Sequence, residues 1–294
     1  MKMKRKFIIL AALFAVCSAG SAWGGVYQWF GAELVDGTGR TTEWTDAGAW
    51  ADEFGGTLPL PHGVVPTAAD KAKVNFVWTN PGPVIRTAVA VGEIIISEDP
   101  VITGLQTVTV AAGGSLVTGT PGWSSADPFN GYAGQLNMGY YTGNTGKFIM
   151  DGGTATVRES LRVGYGGKGI LQMNSGTLNA NGMFSIGQAG GSGEVHLDGG
   201  LLHSSSQWWG SSLTWLPVHN YTFDITGGKW ELHGFWFDEM QLLIDNGWLT
   251  GYGSPDNVVL GYDELRGITT VTAIPEPITI SLLGLGALLL RRRS

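Results

Sequence analysis

The sequence predicts an all-β chain, a single-stranded parallel β-helix with an N-terminal cap, flanked by a signal peptide and a C-terminal hydrophobic sorting helix. Three observations carry this. Two short apolar-x-apolar motifs recur at a near-constant period, glycine is abundant at 47 residues, and only 14% of residues are charged. Frequent glycine turns between β-branched and aromatic runs are the mark of short strands.

The repeat comes first. Leu136-Asn137-Met138-Gly139, Leu161-Arg162-Val163-Gly164 and Phe184-Ser185-Ile186-Gly187 are copies of one element, their glycines 25 and 23 residues apart. A second element follows each: Phe148 to Gly153, Leu171 to Gly176, Val195 to Gly200 and later Phe223 to Gly228, spaced by 23, 24 and 28. Such a period signals a stacked array. A propeller blade needs four strands in about forty residues, too many for this period, so one coil of a β-helix fits better. Alternation sends Leu136 and Met138 inward and Asn137 outward, and coils stack about 4.8 Å apart. The outward ladders then read Asn137, Arg162, Ser185, Trp208 and Ile149, Gln172, His196, Asp224. Asp151, Asn174 and Asp198 share a turn position, where a short polar side chain bonds its own backbone.

Weaker copies extend the array. Val108 to Gly114 and the strand-like Ala88 to Ser97 lie upstream; Leu243 to Gly247 and a last strand, Thr270 to Ile274, lie downstream. The organisation expected is a signal peptide over 1–22, a cap over 23–88, a solenoid over 89–274 of roughly eight coils and on the order of 40 Å, and a sorting signal over 275–294. The cap closes an end whose apolar cross-section would otherwise aggregate, and it holds Trp29, Trp44, Trp50 and Trp78.

The two ends carry export chemistry. Lys2, Lys4, Arg5 and Lys6 precede an apolar run from Phe7 to Val16 and the small residues up to Ala22, the layout of a cleavable signal peptide. Lipidation of Cys17 is disfavoured by the bulky Val16 before it. At the other end Pro275-Glu276-Pro277 disfavours helix and stays open to processing. The thirteen residues Ile278 to Leu290 form a helix of about 20 Å, short of the roughly 30 Å hydrocarbon core, and Arg291, Arg292 and Arg293 hold that end on the cytoplasmic side. Together these last residues resemble a PEP-CTERM sorting signal. The resemblance implies signal peptidase and an exosortase-type enzyme as processing partners, transient contact with the inner membrane, and a final place on the outer surface or in the extracellular matrix of a Gram-negative bacterium. More loosely, Trp44 to Trp50 and Val65 to Asp70 resemble the start of secreted glycine-rich repeat proteins that share this tail.

Charge excludes one class of partner. Four of the seventeen basic residues lie in the signal peptide and three in the tail, leaving ten against twenty-four acids with Glu276 still counted, a net charge near −14. Such a surface repels nucleic acid and anionic lipid. The only cysteine, Cys17, leaves with the signal peptide, so the mature chain has no disulfide or thiolate chemistry.

Candidate chemistry is sparse. A polysaccharide lyase or hydrolase on a β-helix needs clustered acids, and neither outward ladder stacks them. Calcium-binding nonapeptide turns need an aspartate where Leu171 and Val195 stand. His196, His203, His219 and His233 share no recurring spacing and read as surface residues rather than a metal site. Paired threonines such as Thr154 and Thr156 suggest an ice-matching ladder, but Thr177-Leu178-Asn179 and Leu201-Leu202-His203 interrupt it. Trp208, Trp209, Trp215, Trp230 and Trp236, together with Trp248, Tyr221, Phe235 and Phe237, either fill a widened coil or offer a platform for sugar rings. The expectation is a non-catalytic structural or adhesive protein of the surface or exopolysaccharide matrix, without cofactor or metal. A carbohydrate-binding module built on those tryptophans is the first alternative, and a polysaccharide-cleaving enzyme the second.

Overall fold

The computed structural model describes residues 25–29, 42–52, 64–75, 82–99, 104–119, 134–205 and 220–275. The signal peptide, Trp78, His219, Trp208, Trp209, Trp215, and the tail from Glu276 onward, with Pro277, Arg291, Arg292 and Arg293, lie outside them. Among the described residues no helix is long and apolar enough to cross a membrane.

The chain winds as a solenoid. β1 (Val26–Trp29) and β2 (Trp50–Asp52) pair antiparallel at one end, and then the coils begin. β3 (Lys71–Val74), β4 (Val84–Ile85) and β5 (Ala88–Val91) make one turn; β6 (Glu93–Ile96), β7 (Leu105–Ala111) and β8 (Ser115–Thr118) make the next. β9 (Gln135–Met138) with the long β10 (Thr145–Val157), and β11 (Ser160–Val163) with β12 (Lys168–Ala180), follow. β13 (Met183–Ile186), β14 (Ser192–Leu197) and β15 (Leu201–Ser204) form another coil, then β16 (Tyr221–Ile225) and β17 (Lys229–His233). α1 (Phe237–Asp245) and β18 (Leu249–Gly251) complete the last turn before a hairpin of β19 (Val258–Asp263) and β20 (Ile268–Ala273).

Three faces result. The first stacks β1, β3, β6, β9, β11 and β13 in parallel. The second stacks β4, β7, the first halves of β10 and β12, β14, β16 and β18. The third holds β5, β8, the second halves of β10 and β12, β15 and β17. Both long strands bend between the second and third faces, and the register of β10 against β12 shifts twice, between Met150 and Asp151 and between Asp151 and Thr154. With a strand spacing of about 4.8 Å, the second face is about 29 Å long, shorter than the sequence suggests.

Alternation decides what is inside. Val108, Phe148, Leu171, Val195, Phe223 and Leu249 sit in register along the second face and are buried, as are Leu116, Ala155, Leu178, Leu202 and Trp230 along the third. Each large side chain of these stacks stabilises by roughly 1.5–3 kcal/mol. The outward ladder Ile149, Gln172, His196, Asp224 is in register as predicted. Thr154, Thr177 and Leu201 also align, so the threonine ladder is interrupted where expected.

Both boundaries shift. Parallel pairing already joins β1, β3 and β6, and β4 and β5 pair with β7 and β8, so the strands Lys71–Val74 and Val84–Ile85 belong to the coils and not to the cap. The cap proper is a tryptophan plug: Trp29, Trp44 and Trp50 are buried, with ring centroids 5.1 and 4.7 Å from Trp50 and its indole N–H donating to the Trp44 carbonyl at 2.8 Å. At the far end the last strands run antiparallel, β20 to β17 and β19 to β20. Leu243 to Asp245 is not a coil copy but the end of α1. Met240 and Leu243 follow helical spacing and are buried, while Asp238 and Glu239 favour the helix N-terminus.

Candidate functional site

The corner between the first and second faces carries a groove. After β9, β11 and β13 the chain turns at Gly139, Gly164 and Gly187, all with positive φ (62°, 81° and 65°), which glycine adopts without a Cβ clash. The loops that follow lie directly on one another. Gly166 and Gly167 N–H groups donate to the Gly139 carbonyl, Lys168 N–H to Asn144, and Ser192 N–H to Gly167. A Cβ on Gly167 would stand 2.2 Å from the Tyr141 carbonyl, and one on Gly191 2.6 Å from the Gly167 carbonyl. Bare backbone here is a packing requirement.

These loops border a shallow, open depression of about 330 Å³, lined by Thr142, Asn144, Thr145, Lys168, Ser192 and Asn220 besides the glycines. Asn144 is 1% exposed, and neither its Nδ2 nor its Oδ1 has a hydrogen-bond partner. Lys168 is ion-paired to Glu194 at 2.6 Å, so its charge is matched. Tyrosines stand beside the groove. Tyr140 packs on Tyr165 and on Tyr141 at 5.0 Å each, and Tyr141 is 46% exposed. Burial, then the neighbouring Tyr165, Tyr141, Glu93 and Glu98, push the Tyr140 phenol up from 10.0, so it remains a hydrogen-bond donor at neutral pH.

Next to the groove, the outer side of the first face is a polar network. Lys71 pairs with Glu93 at 3.0 Å, and Asn137 donates to Glu93 at 3.2 Å. Arg162 donates to Gln135 and Asn137 at 2.8 and 3.3 Å, and lies 5.1 Å over the Tyr165 ring. Gln135 donates to Glu159 at 3.1 Å. The predicted ladder of Asn137, Arg162 and Ser185 is in register, but Asn137 and Ser185 are buried instead of facing solvent. This face also gathers two acids that the repeat did not reveal. Glu93 belongs to a coil whose corner residue is Ser97 at φ 66°, where later coils carry glycine, so the motif hid it; Glu159 precedes its strand. Burial raises the Glu159 carboxyl above 4.5 despite Gln135 and Arg162. With Glu93, Asn137 and Ser160 buried, this network ties neighbouring coils together.

A second charged cluster lies on the third face. Glu231, almost fully buried, meets Lys229 at 2.7 Å, Arg266 at 3.5 Å and His203 at 3.6 Å, and His203 packs edge-on against His233 at 4.9 Å. Two of the histidines thus meet, yet among the described residues no three His, Cys, Asp or Glu side chains form a metal-holding group. Burial pushes the Glu231 carboxyl up, but Lys229, Arg266 and His203 outweigh it and hold it below 4.5. A depressed folded-state pKa contributes stability above the unfolded value and loses it below. Urea midpoints should therefore fall as pH drops below 4.5, and Glu231→Gln should flatten that part of the profile; an identical acid limb in the variant would contradict the assignment.

The other predicted positions sort clearly. Trp230 is fully buried, stacked on Phe223 at 4.6 Å with its N–H donating to Ser204 at 2.9 Å, so it fills the core and offers no sugar platform. Trp236 is half-buried and donates to the His233 carbonyl at 2.7 Å. Beside it Phe235, 61% exposed, stacks on Phe237 at 5.3 Å and meets Tyr262 edge-on. Leu171 and Val195 point into the core, where a calcium turn would need aspartate. Asn174 accepts from Gln172 of its own strand at 3.0 Å, whereas Asp198 joins coils, accepting from Gln172 at 3.4 Å and from Thr226 at 2.7 Å. Pro275 is the last described residue of the tail.

Comparison with protein-family models, with curated proteins and with solved structures finds no significant match to this chain.

Proposed function

We propose that this chain is a secreted, non-catalytic β-solenoid that serves as a structural or adhesive component of the cell surface or exopolysaccharide matrix, sorted by a PEP-CTERM-type tail. The observation that carries the reading is the pairing of export-type ends with an almost uninterrupted stack of in-register coils. Parallel coils locked by glycine corners and buried stacks make a stiff rod, suited to spacing and to presenting repeated surface groups. Signal peptidase, an exosortase-type enzyme and exopolysaccharide are the partners this reading names. It is tested by fractionating the producing cell and mass-mapping both termini. The expected product starts after Ala22, ends near Pro275-Glu276-Pro277 and sits in the matrix or surface fraction. A cytoplasmic protein with both ends intact refutes the sorting, and new reducing ends or unsaturated products released from the host exopolysaccharide refute the non-catalytic part.

A further inference from the structure

We infer that the C-terminal end of the solenoid pairs with a second copy of this chain, β19 against β19 in antiparallel about a two-fold axis at Leu260, so that two rods join end to end. The inference goes beyond the proposed surface role and does not depend on where the chain is sorted.

The two ends of the solenoid differ. At the first, Trp29, Trp44 and Trp50 are buried as a plug. The other is apolar and open: seven of the ten large apolar side chains left exposed among the described residues follow β17, with Phe235 at 61%, Leu242 at 42% and Val259 at 40% among them. The third face ends there on β19, which among the described residues pairs with β20 alone. Folded proteins blunt such an edge with a lysine, a proline or a bulge. The run Val258-Val259-Leu260-Gly261-Tyr262 has none of these.

The phase of the ladder between β19 and β20 identifies the unused groups. Ile274 N–H donates to the Asn257 carbonyl at 2.9 Å, and bonding alternates along an antiparallel pair. Asn257, Val259, Gly261 and Asp263 therefore turn their backbone to β20, whereas Val258, Leu260 and Tyr262 turn theirs to the open edge. Val258 N–H caps the preceding turn at the Pro255 carbonyl, which leaves two donors, the N–H groups of Leu260 and Tyr262. A two-fold axis at Leu260 gives both an acceptor. Leu260 N–H meets the partner's Leu260 carbonyl and Tyr262 N–H meets the partner's Val258 carbonyl, each twice.

Side chains and charge agree with that register. On the solvent side Val259 lies over the partner's Gly261, where an added Cβ meets nothing within 4 Å. Asp263 falls opposite the partner's Asn257, and its carboxylate already accepts from the Leu265 and Arg266 N–H groups. No charge lies between Val258 and Tyr262, a neutral seam on a chain with twenty-four acids; Asp256 and Glu264 fall outside it. Phe235 meets Tyr262 edge-on, so exposed aromatic area adjoins the seam.

The test is analytical ultracentrifugation of the full chain in mild detergent, over a dilution series through the micromolar range that suits a small interface. A reversible equilibrium between monomer and dimer is expected. Val259→Glu puts a charge on the apolar seam of each copy, and Leu260→Pro removes a donor that β20 does not use. Each should raise the dissociation constant about tenfold, the equivalent of two lost hydrogen bonds. Val259 is exposed, so an unchanged urea midpoint will show that Val259→Glu folds. Register is read by mixing a Val259→Cys chain with a Gly261→Cys chain, both carrying Cys17→Ser. Opposed residues of a non-hydrogen-bonded pair stand about 4.5 Å apart at Cα, within reach of a disulfide, so oxidation should link the mixture in preference to either chain alone. A monomer throughout, open polymers in place of a dimer, a dimer indifferent to both substitutions, as when the C-terminal tails associate instead, or cross-linking no better in the mixture than alone overturns the inference.

Discussion

Gly164→Val is expected to abolish the folded state. Gly164 turns the chain at φ 81°, and a Cβ there would stand 1.8 Å from the Ser192 carbonyl of the next coil. A β-branched residue resists the left-handed region, and the carbonyl cannot retreat without breaking the ladder that joins β12 to β14. The combined cost, on the order of 5 kcal/mol or more, is comparable to the whole stability of a domain. Refolded protein should show no cooperative urea transition and should elute as expanded or aggregated species. Gly190→Ala is the control, since its φ is 84° but nothing lies within 4 Å of the added Cβ. It should lose only the left-handed penalty of about 1–2 kcal/mol. If both variants unfold alike, close coil stacking is not what makes these glycines necessary.

Trp230→Ala should destabilise by about 3–5 kcal/mol, the usual cost of emptying a large aromatic from a core. Its ring lies flat on Phe223 at 4.6 Å and edge-on to Phe184 at 5.9 Å, bridging the interiors of the faces. Removing it also leaves the buried Ser204 hydroxyl without its donor. Urea denaturation reads the loss, and the half-buried Trp236 provides the comparison, with a smaller shift. A Trp230 variant as stable as the parent would return this ring to the candidates for surface recognition.

Much of the coil was legible because β-structure has a period of two. Where apolar residues alternate before a glycine, as at Leu161 and Val163, register follows directly, and the ladder Ile149, Gln172, His196, Asp224 is as read. The motif failed where a residue other than glycine takes the corner. Ser97 occupies the left-handed position, so Ala88 to Ser97 read as strand without its corner, and Glu93 was not placed beside Asn137. The C-terminal end misled for another reason: Leu243-Ile244 suits a strand as well as a helix over a short window, and only packing against the open end of the coils, which buries Met240 and Leu243, selects α1.

From the sequence alone come the β class, the stacking period and the inward and outward sets, because each depends on local pattern along the chain. Which outward residues are truly exposed, and which loops share a corner, depends on coils some 25 residues apart meeting in space. Asn137 falls in the repeated motif as an outward position, and Asn144 falls in no motif. Tertiary stacking satisfies the first within a charged network and leaves the second, in a groove, without a partner.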